Sequence, residues 1–205
     1  MIAIVITSYG EPSWRSLAWE RAYPSTIEQG AEQVIVHHST LETIGPARNE
    51  AAAQAEEQWL IFLDADDELA PGYVEAMRRA LRREAGKVLF QPAVLYLRQG
   101  RPPPKPIVIA DRNLRKDNYL VIGTMVNRRQ FHQVGGFSDY HHGFEDWSLW
   151  VKCWQDGARI VPVPEAVYRA HYNHHSKHRL LWRDRKAQAV WHQRIEQELF
   201  GNAPA

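Results

Sequence analysis

The stretch Trp59-Leu60-Ile61-Phe62-Leu63-Asp64-Ala65-Asp66-Asp67-Glu68 does most to restrict what this chain can fold into. It begins as an unbroken apolar run, which reads as a strand covered on both faces, as in a parallel sheet. Four of the next five residues are acidic, and Pro71-Gly72 then restarts the chain as a helix. A buried strand that opens into carboxylates puts hard oxygen ligands at the carboxyl edge of a sheet, where open α/β folds bind their ligands. Asp64 and Asp66 point the same way if the strand runs on through them, because side chains alternate with period two. Such oxygens suit Mg²⁺ or Mn²⁺ held jointly with a substrate diphosphate. The competing reading is a helix start in which Asp67 or Glu68 caps the next helix.

The flanking segments build the rest of an α/β domain. Ile2–Ile6 is a buried strand, residues 13–29 carry apolar side chains at helical spacing, and Val34–Val36 is the centre of a second strand. An alanine-rich helix from Gly45 to about Gln58 leads into the acidic strand. This β-α-β-α-β order predicts a Rossmann-like parallel half through right-handed crossovers. Further on, the pattern predicts a helix over 71–85, a strand over Val88–Leu97 and a strand over Tyr119–Asn127. It continues with a helical turn closed by Gly135-Gly136, a helix over Glu145–Gln155, and short strands over Arg159–Val163 and Val167–Tyr172. The last predicted helix spans Leu181–Phe200, with an apolar face that could cover its own domain or a second subunit. The 205 residues predict one domain, divided into a first half over 1–68, a second over 69–178 and a C-terminal helix over 179–205. A net charge of +1 sets up no global field toward nucleic acid or an acidic membrane. The lone cysteine, Cys153, forms no internal disulfide. With no signal-peptide pattern at Met1–Ile6 and no membrane-length apolar run, the expected location is cytoplasmic.

Several short signals follow one another in a fixed order. The loop Thr7-Ser8-Tyr9 follows the first strand and could hold a nucleobase and ribose, or be an ordinary turn. Ala47-Arg48-Asn49 puts an arginine near a helix start, suited to a phosphate or to the surface. Asp64-Ala65-Asp66 comes next. Gly135-Gly136-Phe137 and Gly143-Phe144-Glu145-Asp146-Trp147-Ser148-Leu149 complete the set. In this order the motifs resemble family 2 glycosyltransferases of the GT-A fold, over Ile4 to about His178.

The resemblance implies an inverting, hexosyltransferase-type enzyme that uses a nucleotide-diphosphate sugar (UDP-sugar foremost, GDP- or dTDP-sugar as alternatives) and Mn²⁺ or Mg²⁺. Its acceptor would be a hydroxyl of a carbohydrate, protein or other compound. It implies Asp66 as a direct metal ligand, with Thr7, Tyr9, Glu11, Arg48, Asp64 and Ala65 on the donor. Asp146 would be the general base and Glu145 its companion, while Gly136 and Trp147 would lie on the acceptor side. A Tyr-Arg-x-His stretch, Tyr168–His171, implies His171 as a second metal ligand. Lys177 or Arg179 would add positive charge over the diphosphate, whereas a zinc site at His174, His175 and His178 lacks companion cysteines.

One departure stands out. Relatives often place a nucleobase-binding aspartate after the second strand, where this chain has Val36-His37-His38-Ser39. Two other classes of function compete with the enzyme. One is a non-catalytic nucleotide- or carbohydrate-binding module on a degenerate scaffold, against which the joint retention of Asp64, Asp66, Glu145 and Asp146 argues. The other is association with nucleic acid through the basic residues of 169–194, including glycosyl transfer to modified DNA. That segment also reads as a solvated helix face with Asp184, Glu196 and Glu198 interspersed. Trp150 and Trp154 read as core, while Trp147, next to the proposed base, could stack on a sugar.

Overall fold

The structure, a computed structural model, describes residues 1–109, 113–141, 143–172 and 185–201. The main sheet has the order β2-β1-β3-β6, from β1 (Ile2–Tyr9), β2 (Gln33–Ser39), β3 (Trp59–Asp64) and β6 (Val126–Asn127). Strands β1, β2 and β3 are parallel, and β6 runs antiparallel to β3. Ile2–Ile6 and Leu60–Leu63 are all essentially without exposure, so neither strand shows the alternation of a half-solvated sheet. A smaller sheet, β4-β7-β5, combines β4 (Glu68–Leu69), β7 (Arg159–His171) and β5 (Val88–Leu97). The α/β class and the parallel arrangement of the first three strands are as the sequence predicts.

The differences have local causes. The first crossover breaks into α1 (Pro12–Leu17), a π-helical turn at Ala18–Ala22 and a 3₁₀ turn at Pro24–Thr26. Pro24 has no N–H to continue the ladder, and Tyr23 N–H instead reaches the Ala18 carbonyl. The second crossover helix, α2 (Ile44–Ala52), stops short of Gln58. The chain must reverse there to enter β3, and Gln33 Oε1 fixes the reversal by accepting Glu56 N–H at 2.9 Å. Helix α3 (Tyr73–Leu81) then leads to β5. Of the expected strand Tyr119–Asn127, only Val126–Asn127 is extended in the sheet. Leu120 and Ile122 are apolar because they are buried in a loop. That loop turns at Gly123, where a Cβ would sit 2.3 Å from the Tyr168 ring and the carbonyl takes the Tyr73 hydroxyl at 2.6 Å. The two short strands expected at 159–172 are one, β7. Val163 pairs with Pro92 and Val167 with Ala93, so residues 164–166 bulge out of the ladder.

Helices α4 (Arg128–Gln133) and α5 (Glu145–Gln155) carry the second half of the chain onto the main sheet. The last helix, α6 (Arg185–Phe200), covers its own domain. Ile195 is buried, Gln155 donates to the Leu199 carbonyl at 2.8 Å, and Tyr140 donates to Glu198 at 2.7 Å. Among the described residues no helix is long and apolar enough to cross a membrane.

One side chain joins the two halves at backbone level. Asn49 on α2 accepts Phe137 N–H and donates to the Phe137 carbonyl, both at 2.9 Å, which pairs it with the chain as a strand neighbour would. Gly136 makes the approach possible, since it sits at φ +64° and a Cβ there would be 2.5 Å from Asn49 Oδ1. Gly45 permits a similar approach near the start of α2, its Cβ position lying 2.2 Å from the Ser138 carbonyl oxygen. Asn49→Ala leaves a buried N–H and C=O unpaired and is expected to destabilise the fold by about 2–4 kcal/mol in urea unfolding.

Candidate active site

At the carboxyl edge of β3 lies a cavity of about 380 Å³. Its wall brings together Tyr9 from the end of β1, Arg48 from α2, Asp64 from β3, and Glu145 and Asp146 from the first turn of α5. These come from the separate motifs whose order carries the resemblance. Val94, Tyr96, Ile109, Tyr119 and Phe144 add apolar and aromatic surface to its lining.

Arg48 holds the centre of this arrangement. It is 5% exposed, its Nη2 donates to Asp64 at 2.5 Å and its Nη1 to Glu145 at 2.6 Å, and it lies 5.2 Å from the Phe137 ring centroid. Burial works against its charge, but Asp64 and Glu145 outweigh burial and its pKa is raised. The sequence suggests a phosphate contact for this arginine. The structure instead commits its guanidinium to two carboxylates.

The Asp146 carboxylate is held at both oxygens. Oδ1 accepts Trp147 N–H at 2.8 Å and Oδ2 accepts the Asn118 amide at 3.0 Å. Burial pushes Asp146 above its ordinary value, against the opposing pull of Arg48 and the Asn118 hydrogen bond. Glu145 is raised for the same reason, burial prevailing over Arg48. Asp67, which the sequence offers only as a helix cap, also lines the cavity. It accepts the Tyr168 hydroxyl at 2.8 Å and the His171 backbone N–H at 2.7 Å. Burial, with Asp66 and Asp64 adding to it, pushes its carboxyl well up.

The remaining candidates lie outside the cavity wall. Thr7 is buried, in register with Asp64 on one side and His37 on the other, and its hydroxyl finds no hydrogen-bond partner among the described residues. Glu11 is exposed at the start of α1, and Ala65 is buried. The Asp66 carbonyl accepts Arg21 at 3.0 Å. The His171 ring pairs with Glu68 at 2.5 Å, and no group of three or more His, Cys, Asp or Glu side chains converges among the described residues. At the end of β2, His38 meets the Ser8 hydroxyl at 3.0 Å, while His37 contacts Glu50 at 3.2 Å. The basic and histidine-rich run with His174, His175, Lys177, His178 and Arg179 lies outside the described residues, as do Leu181 and Trp182.

The two acceptor-side candidates, Trp147 and Gly136, sit away from the cavity lining. Trp147 has no exposed surface. Its indole N–H donates to the Leu114 carbonyl at 2.8 Å and its ring stacks on His192 at 4.6 Å, so it has no free face for a sugar. Gly136 is the close-approach point for Asn49 described above, and it does not line the cavity. Asn118 is a site residue that sequence reasoning misses, because a single asparagine in a polar loop carries no sequence signal.

Because buried Arg48 is the shared cation of Glu145, itself buried, and of half-buried Asp64, Arg48→Met is expected to cost about 3–5 kcal/mol. Arg48→Lys recovers little of this, since a single ammonium cannot reproduce the two-armed bridge. Denaturant unfolding of both variants checks the order.

No curated protein matches the chain. Several solved structures of TarS from S. aureus share its fold. TarS 1–349 in complex with UDP-GlcNAc superposes with a TM-score of 0.72 at 15% identity, over 100% of this chain and 67% of that one. TarS 1–349 without that ligand gives 0.61 at 17% identity, over 83% of this chain and 60% of that one. A longer TarS structure gives the same score and identity, with only 36% of its length covered. Residues 24–145 match the sequence profile of glycosyl transferase family 2, a span that runs from the first crossover to Glu145 and takes in Arg48, Asp64 and Asn49, and the chain therefore belongs to that family.

Proposed function

We propose that the chain transfers a sugar from a nucleotide-diphosphate sugar to an acceptor hydroxyl, with Asp146 as general base and inversion at the anomeric carbon. The observation that carries this reading is the placement of Asp146: a half-buried carboxylate, anchored at both oxygens, opening a helix at the wall of the cavity that also receives Asp64. Removal from water raises its affinity for a proton, which suits a group that must take one from an alcohol. As the acceptor oxygen attacks, its proton passes to Asp146 and the nucleoside diphosphate departs on the opposite face. Arg48 serves this step indirectly, by fixing Glu145 and Asp64 so that the base and the donor side keep their spacing.

The donor is taken to be a UDP-sugar by analogy with the UDP-GlcNAc complex of TarS, with Tyr9, Thr7 and the His37–Ser39 edge nearest the nucleoside. The cavity wall carries four carboxylates, Asp64, Asp67, Glu145 and Asp146, and the one arginine among its described residues already bridges two of them. A diphosphate cannot settle against that surplus without further positive charge. The hard oxygens after β3 fit Mg²⁺ or Mn²⁺, with Asp66 as ligand and the substrate and water supplying most of the rest. His171 could join only by leaving Glu68. A bound divalent cation would supply charge neutralisation at the leaving diphosphate.

In thermal unfolding, a UDP-sugar with Mn²⁺ is expected to raise the midpoint by several degrees, and Asp66→Ala to abolish the shift. No shift with any nucleotide sugar would instead support a non-catalytic module. Asp146→Asn is expected to lower turnover by about 10²–10⁴-fold while keeping the donor-induced shift.

The raised Asp146 carboxyl also predicts opposite pH slopes for activity and stability. Activity falls as acid protonates the base, above the usual aspartate range. For stability, the folded state holds this proton more tightly than the unfolded chain. Its contribution is therefore complete below the unfolded value of about 3.9 and is lost as pH rises through the higher folded value. Glu145 acts in the same direction. Chemical denaturation from pH 4 to 7 should show a decline that Asp146→Asn flattens.

A further inference from the structure

We infer that Asn118 is a positioning residue, kept in the 113–122 segment to hold the Asp146 carboxylate in its working orientation. The inference rests on the reading of Asp146 as the base. Asn118 Nδ2 donates to Asp146 Oδ2 at 3.0 Å, and Asn118 lines the cavity beside it. Its other amide atom, Oδ1, is shut off from solvent and has no hydrogen-bond partner among the described residues.

An asparagine placed for stability would have both ends of its amide satisfied, because an orphaned buried carbonyl is destabilising. Turning the amide over would set its oxygen against a carboxylate, so the N–H end must face Asp146 whenever that group is ionised. Among the described residues, the segment therefore leaves that carbonyl unpaired while its N–H is spent on Asp146. The delivery of that N–H is itself anchored. Trp147 donates its indole N–H to the Leu114 carbonyl at 2.8 Å, and Asn113 Oδ1 accepts Arg115 N–H at 2.9 Å, which fixes the turn just before Asn118. The segment is thus tied to α5 at consecutive residues, by backbone at Trp147 and by side chain at Asp146.

The charged groups facing Asp146 are Arg48 from α2, Asp64 from β3 and its own neighbour Glu145. Asn118 is the neutral donor among them. It holds Asp146 without the full charge that a lysine or arginine would bring, which would quench the base.

The test uses Asn118→Leu, which has nearly the same shape and removes the unpaired carbonyl together with the donor, and Asn118→Asp, which keeps the shape and reverses the donor. The protonation midpoint of Asp146 is read by infrared difference spectroscopy, as the carboxylic-acid band absent from Asp146→Asn. Asn118→Leu is expected to remain folded, to raise the midpoint by about one pH unit, and to lower turnover at least about tenfold with donor affinity kept. Asn118→Asp is expected to raise the midpoint further, through like charge. An unmoved midpoint in both variants, with turnover within about twofold of wild type, would overturn the proposal. Wild-type turnover in Asp146→Asn would overturn the base assignment instead, and any catalytic role for Asn118 with it.

Discussion

The buried guanidinium of Arg48 is the contact on which the site's geometry depends. It joins the last residue of β3 to the first residue of α5 from a position on α2, so three elements that are far apart in sequence share one charge centre. A bridge of this kind adds little net stability, because desolvating three ions offsets most of their attraction. What it does contribute is distance. Asp64 and Glu145 cannot drift apart without leaving a charge unpaired in the interior, and Asp146 moves with Glu145.

The same stretch of α2 sets the backbone spacing. Asn49 hydrogen-bonds both polar groups of Phe137, and Gly136 and Gly45 remove the side chains that would hold the two halves apart. The Ala-Arg-Asn and Gly-Gly-Phe motifs are therefore two sides of one contact, and the Glu-Asp pair sits immediately beyond it. Their fixed order along the chain reflects a cluster in space. Crowding carboxylates there works against folding at neutral pH, as the raised Asp67, Glu145 and Asp146 carboxyls record.

What is legible in the sequence follows from the same physics. Strands β1 and β3 are readable because burial on both faces leaves an uninterrupted apolar run, and α5 because acidic residues open it and Gly157 closes it. The residues that Arg48 touches are not readable. A motif identifies an arginine near a helix start, but only the tertiary approach of α5 decides whether it meets phosphate or carboxylate. Tyr119–Ile122 reads as a strand because buried loops and buried strands share an apolar composition, and the Gly123 turn that separates them is set by the Tyr168 ring. The packing of Trp147 is unreadable for a related reason, since adjacency to Asp146 in sequence says nothing about which way an indole points.

The burial of Trp147 changes the meaning of the C-terminal helix. Phe144, which immediately precedes the Glu-Asp pair, adopts φ 69°, a left-handed conformation that costs an ordinary residue about 1–2 kcal/mol. Its ring lies 6.0 Å from Trp147 and 5.8 Å from His192, and the His192 ring stacks on Trp147. The strained entry to α5 is thus covered by α6, which closes over the side chains on either side of Asp146. Positioned so, the helix meets the cavity through the packing beside Asp146, with Ile195 buried in the domain and Val190 left exposed. The cavity is also lined by Tyr96, Tyr119 and Ile109, which bring apolar surface to a site rich in carboxylates.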